Sequence, residues 1–283
     1  MKFEDFMHSY DILKTNGTPN PLLETLRLFD VLSGGKAHEV LCFQDPETVD
    51  VAAVAEKRRQ GVPLEYILGR AAFMGKTFYC TSDTLIPRAE TSLLVLTASD
   101  FLTKRKNRGL DMQTVIEIGT GCGNIAVSLA LQCDKGVKIL ASDISPAAVE
   151  IARRNFHRLN LQEKLMLFCG DLFEPFNDYQ GNADMVICNP PYIPTTSLKK
   201  LASEIIGHEP LAALDGGSYG IEFFRRLITG ASTFLKQEGV LLFEIGEGQE
   251  KLIDRLLAKK GAYKEVEYFR YREKVRVVSA VRK

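Results

Sequence analysis

The sequence predicts an α/β protein in two parts, a small helical region followed by a parallel sheet covered by helices on both faces. Three observations carry that prediction. From Thr114 onward, the near-continuous apolar runs TVIEIG, VKILASD, KLMLFCG, DMVICNP and GVLLFEIG end in Gly, Asp or Asn, as strands buried on both faces do. Helical stretches separate several of them, notably IAVSLALQC, PAAVEIARRNFHRL and IEFFRRLITGASTFL, which is the alternation of a parallel sheet. The first 60 or so residues lack such runs and read as helices.

In chain order, Pro21 opens LLETLRLFDVL, which stops at Gly34-Gly35, following the Pro-early, Gly-late asymmetry of helix ends. Asp45 caps a segment beginning at Pro46, whose Val49, Ala52 and Ala53 share one face before Gly61. FMGKTFYC and TLIPR read as a short hairpin joined around Thr81–Asp83. A helix is expected from Glu90 to Thr103, then a solvated basic loop, TKRKNRG (103–109). At the far end, YKEVEYFRY and KVRVVSAVRK alternate and meet at a tight turn near Arg272–Glu273, a hairpin whose second strand runs antiparallel and closes the sheet. There is no internal repeat and no low-complexity segment.

Composition narrows the function classes. A chain of 283 residues, 45% apolar and 25% charged, buries a core without help from metal or disulfides. Lys+Arg and Asp+Glu number 36 each, which argues against bulk coating of nucleic acid. Residues 1–70 hold 8 bases against 11 acids, a split that a solvated surface explains. No apolar run reaches the roughly 18–20 residues of a membrane span, and the opening MKFEDFMHSY lacks the pattern of a signal peptide. A cytoplasmic protein is expected. The six cysteines form no CxxC pair, and the four histidines lack ligand spacing to any His or Cys, so no metal is expected.

The candidate chemistry gathers at strand ends. The first strand of the sheet runs into Glu117-Ile118-Gly119-Thr120-Gly121-Cys122-Gly123 before a helix. Glycines there permit a sharp turn and close approach of backbone to a ligand. The spacing is G-x-G-x-G, not the G-x-G-x-x-G that lays a pyrophosphate on a helix N-terminus; S-adenosylmethionine has no phosphate and lays an amino-acid tail against such a loop. Asp143 ends the second strand, twenty residues beyond Gly123. It is placed to accept from ribose hydroxyls or to make an Asx-turn before Pro146. Asp171, followed by Leu172, ends the third strand, where side chain or backbone reads an adenine edge or caps a turn.

The most informative segment is Asn189-Pro190-Pro191-Tyr192, at the end of the fourth strand. Two prolines stop the strand and fix φ, so the Asn189 side chain and the Pro190 carbonyl sit in one rigid turn. Both offer acceptors to the two N–H donors of a planar –NH₂ group, and Tyr192 is suited to lie flat against it. An amide nitrogen is a poor nucleophile because its lone pair is delocalised. Two acceptors pulling on its hydrogens localise that pair toward an electrophilic methyl.

On these residues the chain resembles the HemK/PrmC family of protein-(glutamine-N5) methyltransferases, which act on peptide-chain release factors. The likeness spans nearly the whole chain: PLEYILGRAAFMGKTF (63–78), LIPRAET (85–91), EIGTGCGNIAVSLA (117–130), SDISPAAVEIARRN (142–155), GDLFEP (170–175), NPPYIP (189–194), EPLAALDGG (209–217) and LLFEIGEGQ (241–249). The glycine loop and NPPY occur in many amino-methyltransferases; the segments at 85–91 and 209–217 are more specific. Ala89 stands where the family usually has Pro, and Leu172 where some members carry Trp beside the adenine. The resemblance implies a seven-stranded, Rossmann-like, S-adenosylmethionine-dependent methyltransferase domain over 90–283, a hairpin linker over 71–89 and a helical substrate-recognition domain over 1–70. It implies that Gly119 to Gly123 with Glu117, Asp143, Asp171, Leu172 and Asn189 surround S-adenosylmethionine. Asn189, Pro190, Pro191 and Tyr192 then hold the substrate glutamine, with Asn189, Pro190 and Tyr192 in the catalytic role.

The rival readings are weaker. An adenine-N6 methyltransferase also uses NPPY on a flipped base, but no DNA-reading region stands out and no stable nucleic-acid partner is expected. The G-x-G-x-G spacing and the absence of any hydride-transfer partner count against an NAD-dependent dehydrogenase. A non-catalytic binding module has no need of paired amide acceptors. Methylation of a ribosomal-protein glutamine is the nearest alternative, and the IPR-x-ET wording favours release factors.

Overall fold

The computed structural model describes residues 3–15, 21, 24, 25, 28, 56–133 and 136–283. Most of the two helices expected between Pro21 and Gly61 lies outside the described residues. The chain divides into two compact units, Met1–Ala71 with Ala202–His208, and Ala72–Leu201 with Glu209–Lys283.

The first unit is helical where described: Phe3–Thr15, residues 56–59, Leu64–Leu68 and Ser203–His208. Arg58 is its electrostatic centre. The guanidinium donates from Nε and Nη2 to the Glu24 carboxylate at 2.7 and 3.0 Å, a bidentate pair, and its Nη2 reaches Glu204 Oε2 at 3.3 Å. Burial among carboxylates with this fork geometry makes the pair worth more than a surface ion pair.

The second unit carries a seven-stranded sheet, as the resemblance implied. A separate two-stranded hairpin precedes it, β1 (Arg70–Phe73) and β2 (Lys76–Tyr79). The sheet strands are β3 (Gln113–Ile118), β4 (Val137–Asp143), β5 (Leu165–Cys169), β6 (Ala183–Cys188), β7 (Leu235–Glu244), β8 (Tyr263–Tyr271) and β9 (Lys274–Arg282). Their spatial order is β5-β4-β3-β6-β7-β9-β8. β3 to β7 are parallel, and β9 is antiparallel to both neighbours, so the C-terminal hairpin closes the sheet. The order reverses at β3, which puts β4 on one side and β6 on the other. Ligands bind at such switch points, beyond the carboxyl ends of the strands.

Alternation along the strands sorts side chains between two cores. Val115, Ile139, Ala141, Met185, Ile187, Val240 and Leu242 pack toward the helices Thr91–Lys106, Asn124–Gln132 and Pro146–Arg158. Ile116, Leu140, Val186, Leu241, Phe243 and Val278 face the helices Glu222–Phe234 and Glu250–Lys260. That is the period of two expected of a doubly covered sheet.

Two local expectations are corrected. The hairpin turns at Met74-Gly75, both with positive φ (46° and 72°), not around Thr81–Asp83, and TLIPR is not a strand. A methionine in the left-handed region gives no sequence signal, whereas Thr81 and Asp83 do make a local turn, the Asp83 N–H donating to Thr81 Oγ1 at 3.3 Å. The basic loop is also shorter than expected, because the helix continues through Lys106. Arg105 in that last turn is a structural cation: it donates to the buried Asp184 at 2.9 Å and to the Glu238 carbonyl at 2.7 Å. Asp184, at the start of β6, also accepts from the Thr114 backbone N–H at 2.9 Å and from Lys236 at 2.8 Å. One carboxylate thus ties β3, β6, β7 and a helix end together. Replacing Asp184 by Ala leaves Arg105 half-desolvated and the Thr114 N–H without its acceptor, so stability should fall by about 3 kcal/mol. Denaturant unfolding of the two proteins measures this; an unchanged midpoint would count against the role.

Candidate active site

Register places the candidate residues along one edge. Ile118 pairs with Ser142 on one side and Cys188 on the other, and Cys188 pairs with Phe243. The residues that follow, Gly119, Asp143, Asn189 and Glu244, therefore emerge side by side. A cavity of about 430 Å³ opens beyond them, lined by the glycine loop, by Asp143, Asp171, Leu172, Asn189 and Pro191, by residues 82–88, and by Pro210, Ala212, Ala213 and Asp215.

The three glycines of the loop serve different ends. Gly119 (φ 70°) and Gly121 (φ 55°) have no neighbour where a Cβ would stand; they line the cavity and keep its floor bare. Gly123 (φ 82°) faces the other way, and a Cβ there would come within 2.7 Å of the Phe156 ring. That glycine lets the Pro146–Arg158 helix pack against the loop. Glu117 and Thr120 lie beneath the loop, fully buried, with Thr120 Oγ1 donating to Glu117 Oε2 at 3.0 Å. Burial pushes the Glu117 carboxyl up to about 8. Burial also raises the Cys122 thiol, so it stays protonated and packs as a small apolar group.

Asp143 makes the Asx-turn and stands at the cavity. Its Oδ1 accepts from the Ser145 N–H at 3.0 Å, an Asx-turn, and its Oδ2 accepts from the Gly121 N–H at 2.9 Å. Ser145 caps the following helix through Ala148. Each carboxylate oxygen keeps a second lone pair, and Asp143 lines the cavity. Asp171 is paired with Arg226 at 2.5 Å. Leu172, in the left-handed region (φ 49°), is buried among the core phenylalanines while lining the cavity.

Asn189 and Pro191 line the cavity, whereas Glu117, Pro190 and Tyr192 are not among its lining residues. The Tyr192 hydroxyl lies 3.4 Å from Glu244 Oε1, and its carbonyl accepts from Gln249 Nε2 at 3.0 Å. The NPPY turn runs beside residues 214–216, with the Ile193 N–H on the Leu214 carbonyl and the Gly216 N–H on the Ile193 carbonyl. Gly220 is so close that a Cβ would sit 2.4 Å from the Tyr192 oxygen. The two segments most specific to the resemblance meet here: Arg88 of 85–91 forms an ion pair with the buried Glu209 of 209–217.

Sequence reasoning missed Thr91, Glu244, Arg226 and Asn155. Asn155 is fully buried; its amide serves both the N–H and the carbonyl of Tyr79 and reaches the Cys122 carbonyl at 2.8 Å. The signal for Glu244 was present, because EIG ends β7 as it ends β3. The other three had no such marker.

S-adenosylmethionine fits this cavity on its charge. The two lining arginines, Arg88 and Arg226, are neutralised by Glu209 and Asp171. With Asp171 so used, three further lining aspartates, Asp83, Asp143 and Asp215, have no lining cation left to balance them. An acidic cavity with an unobstructed glycine floor suits a sulfonium cation and repels phosphates. Among the described residues, no group of three or more His, Cys, Asp or Glu gathers to hold a metal, and no helix is long and apolar enough to cross a membrane.

Comparison with known proteins agrees. Residues 95–221 match the Methyltransferase small domain family. The solved catalytic domain of hMettl16, in complex with the MAT2A 3′UTR hairpin 6, shares the fold, with a TM-score of 0.56 at 15% identity over 83% of this chain and 93% of that one. The fold and its cavity define an S-adenosylmethionine-dependent methyltransferase. The release factor glutamine methyltransferase of Geobacter sulfurreducens is 34% identical over 92% of this chain and 88% of its own length. That of Bacillus subtilis is 33% identical over 93% and 92%. The chain belongs to the release factor glutamine methyltransferase family.

Replacing Asp143 by Ala should weaken binding of S-adenosylmethionine, or of its demethylated product, by one to two decades, since a charge-assisted acceptor is worth about 1.5–3 kcal/mol. The Gly121 and Ser145 N–H groups also lose their acceptor, so stability should fall by about 1–3 kcal/mol. Calorimetry and denaturant unfolding test the two effects separately; unchanged affinity would remove Asp143 from the binding role.

Proposed function

We propose that this enzyme transfers a methyl group from S-adenosylmethionine to the side-chain amide nitrogen (N5) of the glutamine in the GGQ motif of peptide-chain release factors, in the cytoplasm. The observation that carries the reading is the rigid NPPY turn at the tip of β6, beside an acidic cavity, in a chain whose relatives are named for this reaction. Glu117, Gly119, Thr120, Gly121, Cys122, Gly123, Asp143, Asp171 and Leu172 form or support the cofactor's bed. The cofactor supplies an electrophilic methyl on a positively charged sulfur.

The remaining work falls to the chain. Asn189 and the Pro190 carbonyl accept the two N–H groups of the substrate amide and turn its lone pair toward the methyl. Tyr192 and Pro191 hold the turn, and Tyr192 is braced by Glu244 and Gln249. Asn189 is an acceptor and not a base, because an amide takes up no proton at neutral pH. The substrate nitrogen loses its proton to water once it carries positive charge. Residues 1–70 contribute to recognition of the protein substrate in this reading, since every strand-tip residue lies beyond them.

The test is mass spectrometry of a purified release factor after incubation with enzyme and S-adenosylmethionine. One added methyl on the GGQ glutamine is expected; a methyl elsewhere, or none, overturns the assignment. Asn189→Ala should lower turnover by about 10²–10³ or more, the effect of losing one preorganised group at a developing charge compounded by misorientation. Asn189→Asp keeps an acceptor and should retain more activity than the alanine variant. Near-normal turnover in Asn189→Ala would reduce the NPPY turn to a structural element.

A further inference from the structure

An asparagine amide has two faces of opposite character, and only one suits an acceptor's task. The hydrogen bonds behind Asn189 decide which face meets the cavity. Asn189 Nδ2 lies 3.3 Å from Thr91 Oγ1, and Thr91 Oγ1 lies 2.8 Å from Glu244 Oε2. Thr91 is the first residue of the Thr91–Lys106 helix, and Glu244 the last of β7; both are buried. A hydroxyl has one proton to give and two lone pairs with which to accept. A carboxylate only accepts, so an ionised Glu244 accepts the hydrogen bond of the Thr91 hydroxyl and leaves Thr91 Oγ1 only its lone pairs for Asn189. The Asn189 –NH₂ must then point back to Thr91, which turns Oδ1 toward the substrate.

We propose that Thr91 and Glu244 are positioning residues that hold the Asn189 amide with its oxygen toward the substrate nitrogen, and that protonation of Glu244 releases this orientation. The proposal rests on the glutamine-methyltransferase reading and specifies how its acceptor is set. A protonated Glu244 donates to Thr91 Oγ1, freeing the Thr91 hydrogen to donate to Asn189 Oδ1. The amide then turns about and offers N–H groups to a substrate that itself presents N–H groups, and two donors do not bond. Burial is the main cause that lifts Glu244, to about 7, with Glu90 raising it further while Thr91, Arg276 and the Tyr192 hydroxyl lower it. The buried Cys188 also feels Glu244, and its thiol stays protonated. The oriented state is thus present above about pH 7 and lost below it.

Three variants separate this role from a packing role. Thr91→Val keeps the shape and removes the hydroxyl, Thr91→Ser keeps the hydroxyl, and Glu244→Gln removes the ionisation. Methylation of release factor is followed as kcat and KM between pH 5.5 and 9. In parallel, the Asn189 side-chain amide resonance is followed in enzyme labelled with ¹⁵N-asparagine. Thr91→Val is expected to lower kcat about tenfold, the scale of one misdirected hydrogen bond, with little change in KM for S-adenosylmethionine, and Thr91→Ser to restore it. In the wild type, kcat and the Asn189 resonance should both titrate near pH 7, and in Glu244→Gln neither should. Equal losses in Thr91→Val and Thr91→Ser, or a titration that persists in Glu244→Gln, would overturn the proposal. If the wild type fails to methylate release factor while the Asn189 resonance titrates as described, the substrate reading falls and the positioning role stands. If it methylates release factor with a resonance indifferent to pH, the positioning role falls alone.

Discussion

The site depends on β3 being paired on both edges. A central strand has no freedom of register: β4 and β6 each bond it, and a slip of one residue would turn every side chain to the opposite face. Because Ile118 is aligned with Ser142 and with Cys188, the chain must leave all three strands at one level. The glycine loop, Asp143 and Asn189 become neighbours through this alignment, although more than sixty residues separate the first from the last. The Asp184 carboxylate reinforces it at the opposite end, where it holds the Thr114 N–H at the beginning of β3.

What the sheet aligns, buried polar side chains then fix. The Asn155 amide closes the gap between the hairpin and the glycine loop by serving Tyr79 and Cys122 together. Asp143 joins the glycine loop to the start of the next helix, and Gln249 spans Gly246 and Tyr192. Each of these groups satisfies backbone donors or acceptors that would otherwise be stranded away from water, which makes such contacts expensive to leave unmade. These bonds restrain the cavity wall, and such restraint is what orientation of a weak nucleophile requires.

The parallel strands and the C-terminal hairpin were legible because their apolar runs and alternation are governed by burial, which sequence reports directly. The strand-tip residues were legible because an acid or an asparagine directly after a buried run is conspicuous. The hairpin turn was misplaced because Met74, a residue that rarely takes a positive φ, forms it with Gly75, while Thr81 and Asp83 carry the stronger turn composition. Arg105 read as a solvated loop residue because its partners, Asp184 and the Glu238 carbonyl, lie some eighty and more residues away. Thr91 was hidden for the same reason: a threonine opening a helix looks like any helix start, and only tertiary contact with Glu244 and Asn189 gives it a second meaning. Residues whose partners are local can be read from sequence; residues whose partners arrive with the fold cannot.

The distribution of charge around the cavity explains why an asparagine, and not an aspartate, stands at the tip of β6. A cationic methyl donor draws on the aspartates of the lining, of which Asp143 lies at the glycine loop. A further full negative charge beside the nucleophile would also draw the sulfonium to itself in the ground state, competing with the substrate amide for the acceptor and offsetting what it gains as positive charge reaches the nitrogen. In the proposed reaction amide oxygens avoid this: those of Asn189 and Pro190 attract the two N–H groups of the substrate through dipoles, at close range and with direction, while adding no net charge. The two acids nearest the strand tips behave consistently with that requirement. Burial favours the neutral form of Glu117, and Glu244 engages the Thr91 and Tyr192 hydroxyls without lining the cavity. In that reading the negative charge that such a reaction tolerates is kept at the loops proposed to bind the cofactor, and the proposed place of bond formation is left to neutral, directed acceptors.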